Sequence, residues 1–307
     1  MTQPTLPLII YHDNCADGFG AAWAAYKKFG TDGAEYLPMS YSDKRVELKQ
    51  VEFTDPELIF PVSLAGRNVY ILDFSFKPEV IAAMLKVTNH ITWIDHHLTA
   101  FKDFNFDPTQ RVDLVDQELN WHVILDPNKS GCVLAWEHFH PNEEVPALLR
   151  YIEDRDLWRW QYTSTRDLAT GLRSKPFTFE WFDFANENLS EVMNKGTAMN
   201  ELFDQQLADI TKKHIPTLID EQPGRSVNCT PQFSSEAGNI LAKESGTFGM
   251  TWTLRNDGMA NVSLRSIGDY DVSAIAKTFG GGGHRNAAGF EVAFDRLKFI
   301  DGVLHIQ

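Results

Sequence analysis

The chain has 307 residues, 43% of them hydrophobic and 23% charged, which is enough for two domains with separate cores. A net charge of −14 argues against a grip on long duplex DNA, which needs a basic footprint, and fits either a solvated acidic surface or a carboxylate cluster neutralised by divalent cations. No apolar run approaches the roughly 20 residues that span a bilayer, Met1–Pro4 lack the features of a signal peptide, and Cys15, Cys132 and Cys229 have no metal-knuckle spacing, so a reducing cytoplasm is expected.

Leu8–Tyr11, just after Pro7, is a short apolar run that predicts a buried strand. It leads through His12-Asp13-Asn14-Cys15-Ala16-Asp17-Gly18 into Ala-rich Phe19–Phe29, which predicts a helix ending at Gly30. Strand, polar loop and helix N-terminus in that order make a natural ion or phosphate site. His12 and Asp17 are its candidate ligands, and capping of the helix is the alternative role for Asp17. Val69–Leu72 predicts a second buried strand, ending on Asp73, and Pro78 opens a helix to about Lys86.

Residues 90–94 predict a third strand, which delivers Asp95-His96-His97. Strand ends are where open α/β sheets bind ligands, and an acid followed by two histidines can supply a metal ligand, its orienting partner and a donor to substrate. Three strands that each end on acid or histidine, with helices between them, are the pattern of a parallel sheet. Residues 101–127 are polar and turn-rich, with a short strand expected near 121–125. Ser130–Phe139 and Pro146 to about Glu153 predict helices, the second running into Glu153-Asp154-Arg155-Asp156. Acids at a helix C-terminus oppose the macrodipole and so point to metal binding, with a salt-bridged turn as the alternative.

A Phe- and Trp-rich stretch at 177–184 precedes a helical run expected from Leu189 to Leu218, broken by Pro216, that connects the domains. Beyond it, strands are expected at 226–230, 248–255 and 261–265, with a hairpin turn at Asn256-Asp257-Gly258. A helix at 272–279 then enters Gly280-Gly281-Gly282-Gly283-His284-Arg285-Asn286-Ala287-Ala288-Gly289-Phe290. Four glycines let the backbone approach an anion closely and present N–H donors to it, with a flexible linker as the alternative.

Asp95-His96-His97, the run Val262–Ser266, Asp271–Ala276 and Gly280–Phe290 together resemble the DHH phosphoesterase superfamily, in the branch with the DHH-associated C-terminal domain. The resemblance spans nearly the whole chain. It implies an α/β fold: an N-terminal parallel-sheet domain with helices on both faces (1–188), a helical connector (189–220) and a smaller mixed-sheet domain that binds substrate (221–307). It also implies two divalent metal ions, usually Mn2+, with Mg2+ an alternative. The family's motifs map onto His12 and Asp17, then Asp73 as the acid shared by both metals, then His96 as ligand with His97 on phosphate and Asp95 in support. The last metal-binding acid falls on Asp154, with Asp156 competing for the role. One departure stands out: Cys15 replaces the first of two acids in the first motif, so Asp13 compensates, Cys15 ligates, or one metal is held weakly.

Two metals about 3.5–4 Å apart would activate a hydroxide and polarise a phosphoryl group. Arg265, Ser266, Gly281, Gly282, Gly283 and His284 would hold substrate from the smaller domain. The expected activity is that of a metal-dependent phosphodiesterase or exonuclease, cytoplasmic and monomeric or homodimeric, acting on short single-stranded oligonucleotides. The alternatives are a phosphatase of small nucleotides such as 3′-phosphoadenosine 5′-phosphate or of polyphosphate, and a catalytically weakened nucleotide-binding protein.

Overall fold

The computed structural model describes residues 5–41, 43–49 and 57–306; Met1–Pro4, the basis for expecting no signal peptide, lie outside them. The chain divides into two compact units, residues 1–199 and 200–307.

In the first unit the elements run β1 (Leu8–His12), α1 (Ala16–Phe29), β2 (Glu35–Met39), β3 (Glu47–Lys49), β4 (Glu57–Ile59), β5 (Asn68–Leu72), α2 (Pro78–Leu85), β6 (His90–Asp95) and α3 (Leu98–Asp103). They continue with β7 (Val112–Asp116), β8 (Trp121–Leu125), α4 (Gly131–Phe139), α5 (Ala147–Asp156), α6 (Thr165–Leu172), α7 (Phe179–Glu187) and α8 (Leu189–Thr211), whose residues from 200 on belong to the second unit. Six strands form a sheet in the order β2-β1-β5-β6-β8-β7, parallel except for β7, which lies antiparallel to β8. The central strands are mostly apolar, as strands with both faces covered are. Ile9 and Tyr11 enter a core with Trp23, Trp136 and Phe182, while Leu8 and Ile10 enter the opposite one with Ile81, Trp93 and Phe101. Each of these large side chains contributes about 1.5–3 kcal/mol by leaving water.

β1 pairs with β2 on one side and β5 on the other, so the chain reverses its direction of travel across the sheet at β1. A crevice forms at the carboxyl ends of strands flanking such a switch point. Here those ends carry His12 and Asp73, with Asp95 one strand further on.

The second unit continues from α8 with β9 (Ile215–Ile219), β10 (Gln222–Asn228), α9 (Ser234–Ser245), β11 (Phe248–Leu254), β12 (Met259–Ser266), α10 (Val272–Thr278), β13 (Gly282–His284), β14 (Ala287–Ala293), β15 (Leu297–Ile300) and β16 (Val303–Ile306). Its eight strands form a mixed sheet, β13-β14-β12-β11-β10-β9-β16-β15. Val272, Ile275 and Ala276 of α10 pack into a core with Phe248, Leu264 and Phe290, and Ala237 and Leu241 of α9 join Leu207, Val227 and Phe233 in another.

Three expectations about elements change. The helix after Leu189 stops at Thr211, and residues 215–219 form β9 rather than a last helical turn. Pro216 forces Ile215 into an extended conformation, and Ile-Pro-Thr-Leu-Ile then pairs with β10 and β16. Residues 101–127 hold more than one short strand, because β7 pairs as an exposed edge against β8. α5 runs to Asp156, which places both Asp154 and Asp156 inside its last turn.

Candidate metal centre

The polar groups at the sheet's carboxyl edge converge on Asp73. It is 1% exposed, sits just past β5 with φ +52°, and donates its N–H to the Ile94 carbonyl (2.9 Å). An aspartate tolerates this left-handed conformation better than most residues. Gly131, the first residue of α4, leaves the space for it: a Cβ there would stand 2.5 Å from the Asp73 Cβ. Neither carboxylate oxygen of Asp73 has a hydrogen-bond partner among the described residues, and the same holds for His12 Nδ1, which stands 3.7 Å away.

His96 faces three carboxylates from three elements. Its Nε2 lies 3.2 Å from Asp73 Oδ1, 3.5 Å from Asp17 Oδ2 and 3.5 Å from Asp156 Oδ2. Asp17 sits in the first turn of α1, but it does not cap that helix. Its oxygens accept instead from the first amides of α4, Gly131 N–H (2.7 Å) and Cys132 N–H (2.9 Å). The helix terminus thereby fixes the carboxylate's direction.

Asp95 plays a different part. It is fully buried, and its Oδ1 accepts from the N–H of His96 (2.7 Å) and of His97 (3.3 Å) and lies 2.7 Å from His97 Nδ1. Oδ2 accepts from the Ser75 hydroxyl. A carboxylate engaged in this way offers acceptors to His97 Nδ1, so that nitrogen carries the proton and Nε2 is left for a ligand.

Among the described residues, potential ligand atoms group into three sets, each with its atoms within 4.8 Å of one another: His12, Cys15 and Asp73; Asp17, His96 and Asp156; and Asp73 with Asp95, His96 and His97. Asp73 therefore stands beside both His12–Cys15 and His96. Asp13 belongs to none of these sets. Asp154 does not either: its Oδ1 accepts from Gln161 N–H (2.8 Å), and its Oδ2 accepts from Tyr162 N–H (3.2 Å) and the Thr165 hydroxyl. Two residues apart near a helix end, the two acids point to different sides, and it is Asp156 that faces His96.

The electrostatics fit a cation. Burial, with Asp73 and Asp156 close by, pushes the Asp17 carboxyl up to about 8. Burial works to lower the His96 imidazole, but Asp73, Asp17 and Asp156 together raise it to about 10. Burial and the charges of Asp73 and Asp17 push the Cys15 thiol up to about 12. Buried carboxylates crowded around one imidazole leave negative charge that a divalent cation would compensate. The orphaned oxygens of Asp73, the N/O donors around His96 and the N/S/O donors around Cys15 all suit that role.

The C-terminal motif is arranged otherwise. The Arg265 guanidinium donates to Ser263 Oγ (3.0 Å), the Leu264 carbonyl (2.9 Å) and Ser235 Oγ (2.8 Å). Ser266 is buried, donates to the Tyr270 carbonyl (2.6 Å) and accepts from Asn286 Nδ2 (3.0 Å). Gly280 and Gly281 donate their N–H groups to the Lys277 and Ala276 carbonyls at the end of α10. Gly282, Gly283 and His284 form β13, exposed at the edge of the sheet. Of the expected donors here, His284 and this edge face solvent.

Two features of the centre carry no motif in the sequence. Ser75 completes the shell of Asp95. Tyr41, exposed, stacks on Phe74 at 4.6 Å and meets the His12 ring edge-on at 5.3 Å.

Residues 226–301 match the model of the DHHA1 domain. An uncharacterized protein of Acanthamoeba polyphaga mimivirus, R106, is 32% identical over 308 residues, covering 95% of this chain and 68% of that protein. Oligoribonuclease NrnB of Bacillus subtilis (strain 168) is 23% identical over 303 residues, covering 92% and 72% respectively. The chain belongs to the DHH phosphoesterase superfamily, in the branch that carries the DHH-associated domain. With that membership it is a hydrolytic enzyme, a phosphoesterase of nucleotides or oligonucleotides. Its fold agrees: the pGpG-specific phosphodiesterase PggH from Vibrio cholerae superposes with a TM-score of 0.54 at 12% identity, over 95% of this DHH chain and 94% of that one. Among the described residues, no helix is long and apolar enough to cross a membrane.

Proposed function

We propose that this DHH protein hydrolyses short oligonucleotides as a phosphodiesterase or exonuclease, using two divalent cations that share Asp73. The observation that carries this reading is the pair of orphaned, buried oxygens on Asp73, lying between two sets of donors. His12 and Cys15 would complete one cation position, and Asp17, His96 and Asp156 the other. Asp156 takes the role that the motif order gave to Asp154.

When bound, the cations supply Lewis-acid polarisation of the phosphoryl group and a nucleophilic water at neutral pH. The remaining work falls to side chains. Asp95 fixes the His97 ring through Nδ1, so that Nε2 meets a phosphate oxygen and stabilises charge as it builds there. α4 holds Asp17 in place through two amides. On the C-terminal unit, His284 and the edge of β13 are the donors for a phosphate or chain end, while Arg265 keeps β12 tied to Ser235. The second donor set, all nitrogen and oxygen, suits Mn2+ or Mg2+, whereas the sulfur at Cys15 makes the first softer. NrnB, a relative named as an oligoribonuclease, supports short substrates.

One panel in manganese tests the proposal: 5′-phosphorylated dinucleotides, longer single strands, 3′-phosphoadenosine 5′-phosphate, pyrophosphate and polyphosphate. Dinucleotides and short strands are expected to have the highest kcat/KM. Preference for pyrophosphate or polyphosphate would overturn the substrate assignment.

A further inference from the structure

The segment after Asp156 is built at a cost that packing does not explain. Residues 157–162 fold around Asp154, which is 2% exposed and accepts through its carboxylate from Gln161, Tyr162 and Thr165. Its main-chain carbonyl also accepts from Arg159 N–H (2.9 Å). This bracing holds two tryptophans in the left-handed region, Trp158 at φ +56° and Trp160 at φ +55°. For bulky residues that conformation is a genuine outlier, kept only where the surroundings over-determine it. Neither ring gains burial in return: Trp158 is 65% exposed and Trp160 40%. The rings meet edge to face at 5.0 Å, and the Arg155 guanidinium lies 4.2 Å from one ring centre and 5.0 Å from the other.

The position is as telling as the strain. Arg155 precedes Asp156, whose Oδ2 is 3.5 Å from His96 Nε2. Trp158 follows by two residues, so its Cα is within about 7 Å of the Asp156 Cα. Flat aromatic faces with a guanidinium beside them suit a nucleobase, since every base has a π-face, and a base joined to a phosphate at the metal centre would come within reach.

We propose that Trp158 and Trp160, with Arg155 against them, form a stacking platform for a nucleobase flanking the scissile phosphate and so favour nucleotide substrates over base-free esters. This rests on the phosphodiesterase reading of the same site. The platform lies wholly within the first unit, and the Trp rings act by binding the substrate, not by touching the reacting atoms.

The test compares wild type with Trp158→Ala, Trp160→Ala, Trp158→Phe and Trp158→Gly. Substrates are a 5′-phosphorylated dinucleotide and its two analogues in which one base or the other is replaced by an abasic tetrahydrofuran. The alanine and glycine variants are expected to lower kcat/KM for the intact dinucleotide about 5- to 100-fold. The analogue lacking the stacked base should change less than about twofold, and Trp158→Phe should retain most activity. Trp158→Gly should also hold or raise the thermal midpoint, because glycine adopts φ +56° without strain. Calorimetric binding of the intact dinucleotide to chelator-treated protein should weaken in parallel.

Equal losses on the intact and both abasic substrates would overturn the platform, leaving the loop only a support for Asp156. No loss on any substrate would overturn it too, as would sedimentation showing a dimer that the alanine variants dissociate with no base-dependent change. If wild type hydrolyses no phosphodiester, the phosphodiesterase reading fails. The binding measurement then decides the platform by itself, and equal affinity across the variants rejects it.

Discussion

The sheet edge around Asp73 and the glycine-rich motif around β13 are both dense in polar groups, yet they keep opposite accounts of their hydrogen bonds. At the first, buried oxygens of Asp73 and a nitrogen of His12 have no hydrogen-bond partner among the described residues. At the second, Arg265, Ser266, Asn286, Gly280 and Gly281 all bond one another or neighbouring backbone. A buried polar group left unpaired costs roughly 1–3 kcal/mol, so a cluster of them implies a ligand that compensates. Groups that are already satisfied shape the backbone, and only what remains at the surface is left to meet substrate.

The largest effect that would sharpen this contrast is on turnover. Asp73→Ala should lower kcat at least a hundredfold, about 2.7 kcal/mol of barrier, in steady-state hydrolysis with manganese. Retention of more than about a tenth of wild-type kcat, a loss of only ~1.4 kcal/mol, would break it.

Asp154 and Asp156 repeat the contrast within one helical turn. Asp154→Asn cannot satisfy all three donors that its carboxylate now serves, so it should cost about 2 kcal/mol and lower the thermal midpoint by several degrees, with manganese affinity unchanged. Asp156→Ala should do the reverse, weakening manganese at least tenfold while the metal-free midpoint stays close to wild type. Exchange of these two outcomes would return the metal-binding role to Asp154.

Within the glycine motif the glycines differ in what surrounds them. A Cβ at Gly281 would stand 2.1 Å from the Gly289 carbonyl oxygen, whereas one at Gly282 meets nothing within 4 Å. Gly281→Ala should therefore cost about 2 kcal/mol or more in urea unfolding, and Gly282→Ala less than about 0.5. Equal costs would mean the run acts as a flexible anion loop and not as a packed turn.

The smallest expected change concerns Cys15, whose thiol belongs to the set with His12 and Asp73. Cys15→Asp replaces a soft donor by a hard one and should raise manganese affinity about three- to tenfold in calorimetric titration. An unaltered titration would put Cys15 outside the metal shell.

What the sequence could announce follows the same physics. Parallel strands covered on both faces read as mostly apolar runs, so Leu8–Tyr11, Val69–Leu72 and residues 90–94 are legible, and so are the residues that end them. The choice between Asp154 and Asp156 is not, because it depends on where α5 ends and which way each acid then points. Nor could four glycines reveal that Gly280 and Gly281 spend their N–H groups on the end of α10. β7 is not legible because an exposed edge strand carrying Asp113 and Asp116 has no apolar periodicity, and the end of the helix after Leu189 is not legible because Pro216 signals a helix break as readily as a strand. Ser75 and the strained tryptophans stand outside any motif: the fold alone brings Ser75 to Asp95 and turns Trp158 and Trp160 into the left-handed region.

The most direct test of the shared-cation account is calorimetric titration of manganese into chelator-treated wild type and Asp73→Ala, read for stoichiometry and affinity together. Two ions per wild-type chain are expected, with at least a tenfold weakening of both in the variant, since one carboxylate serves the two positions. Two ions bound equally well by both proteins, or one ion lost while the other keeps its wild-type affinity, would contradict it.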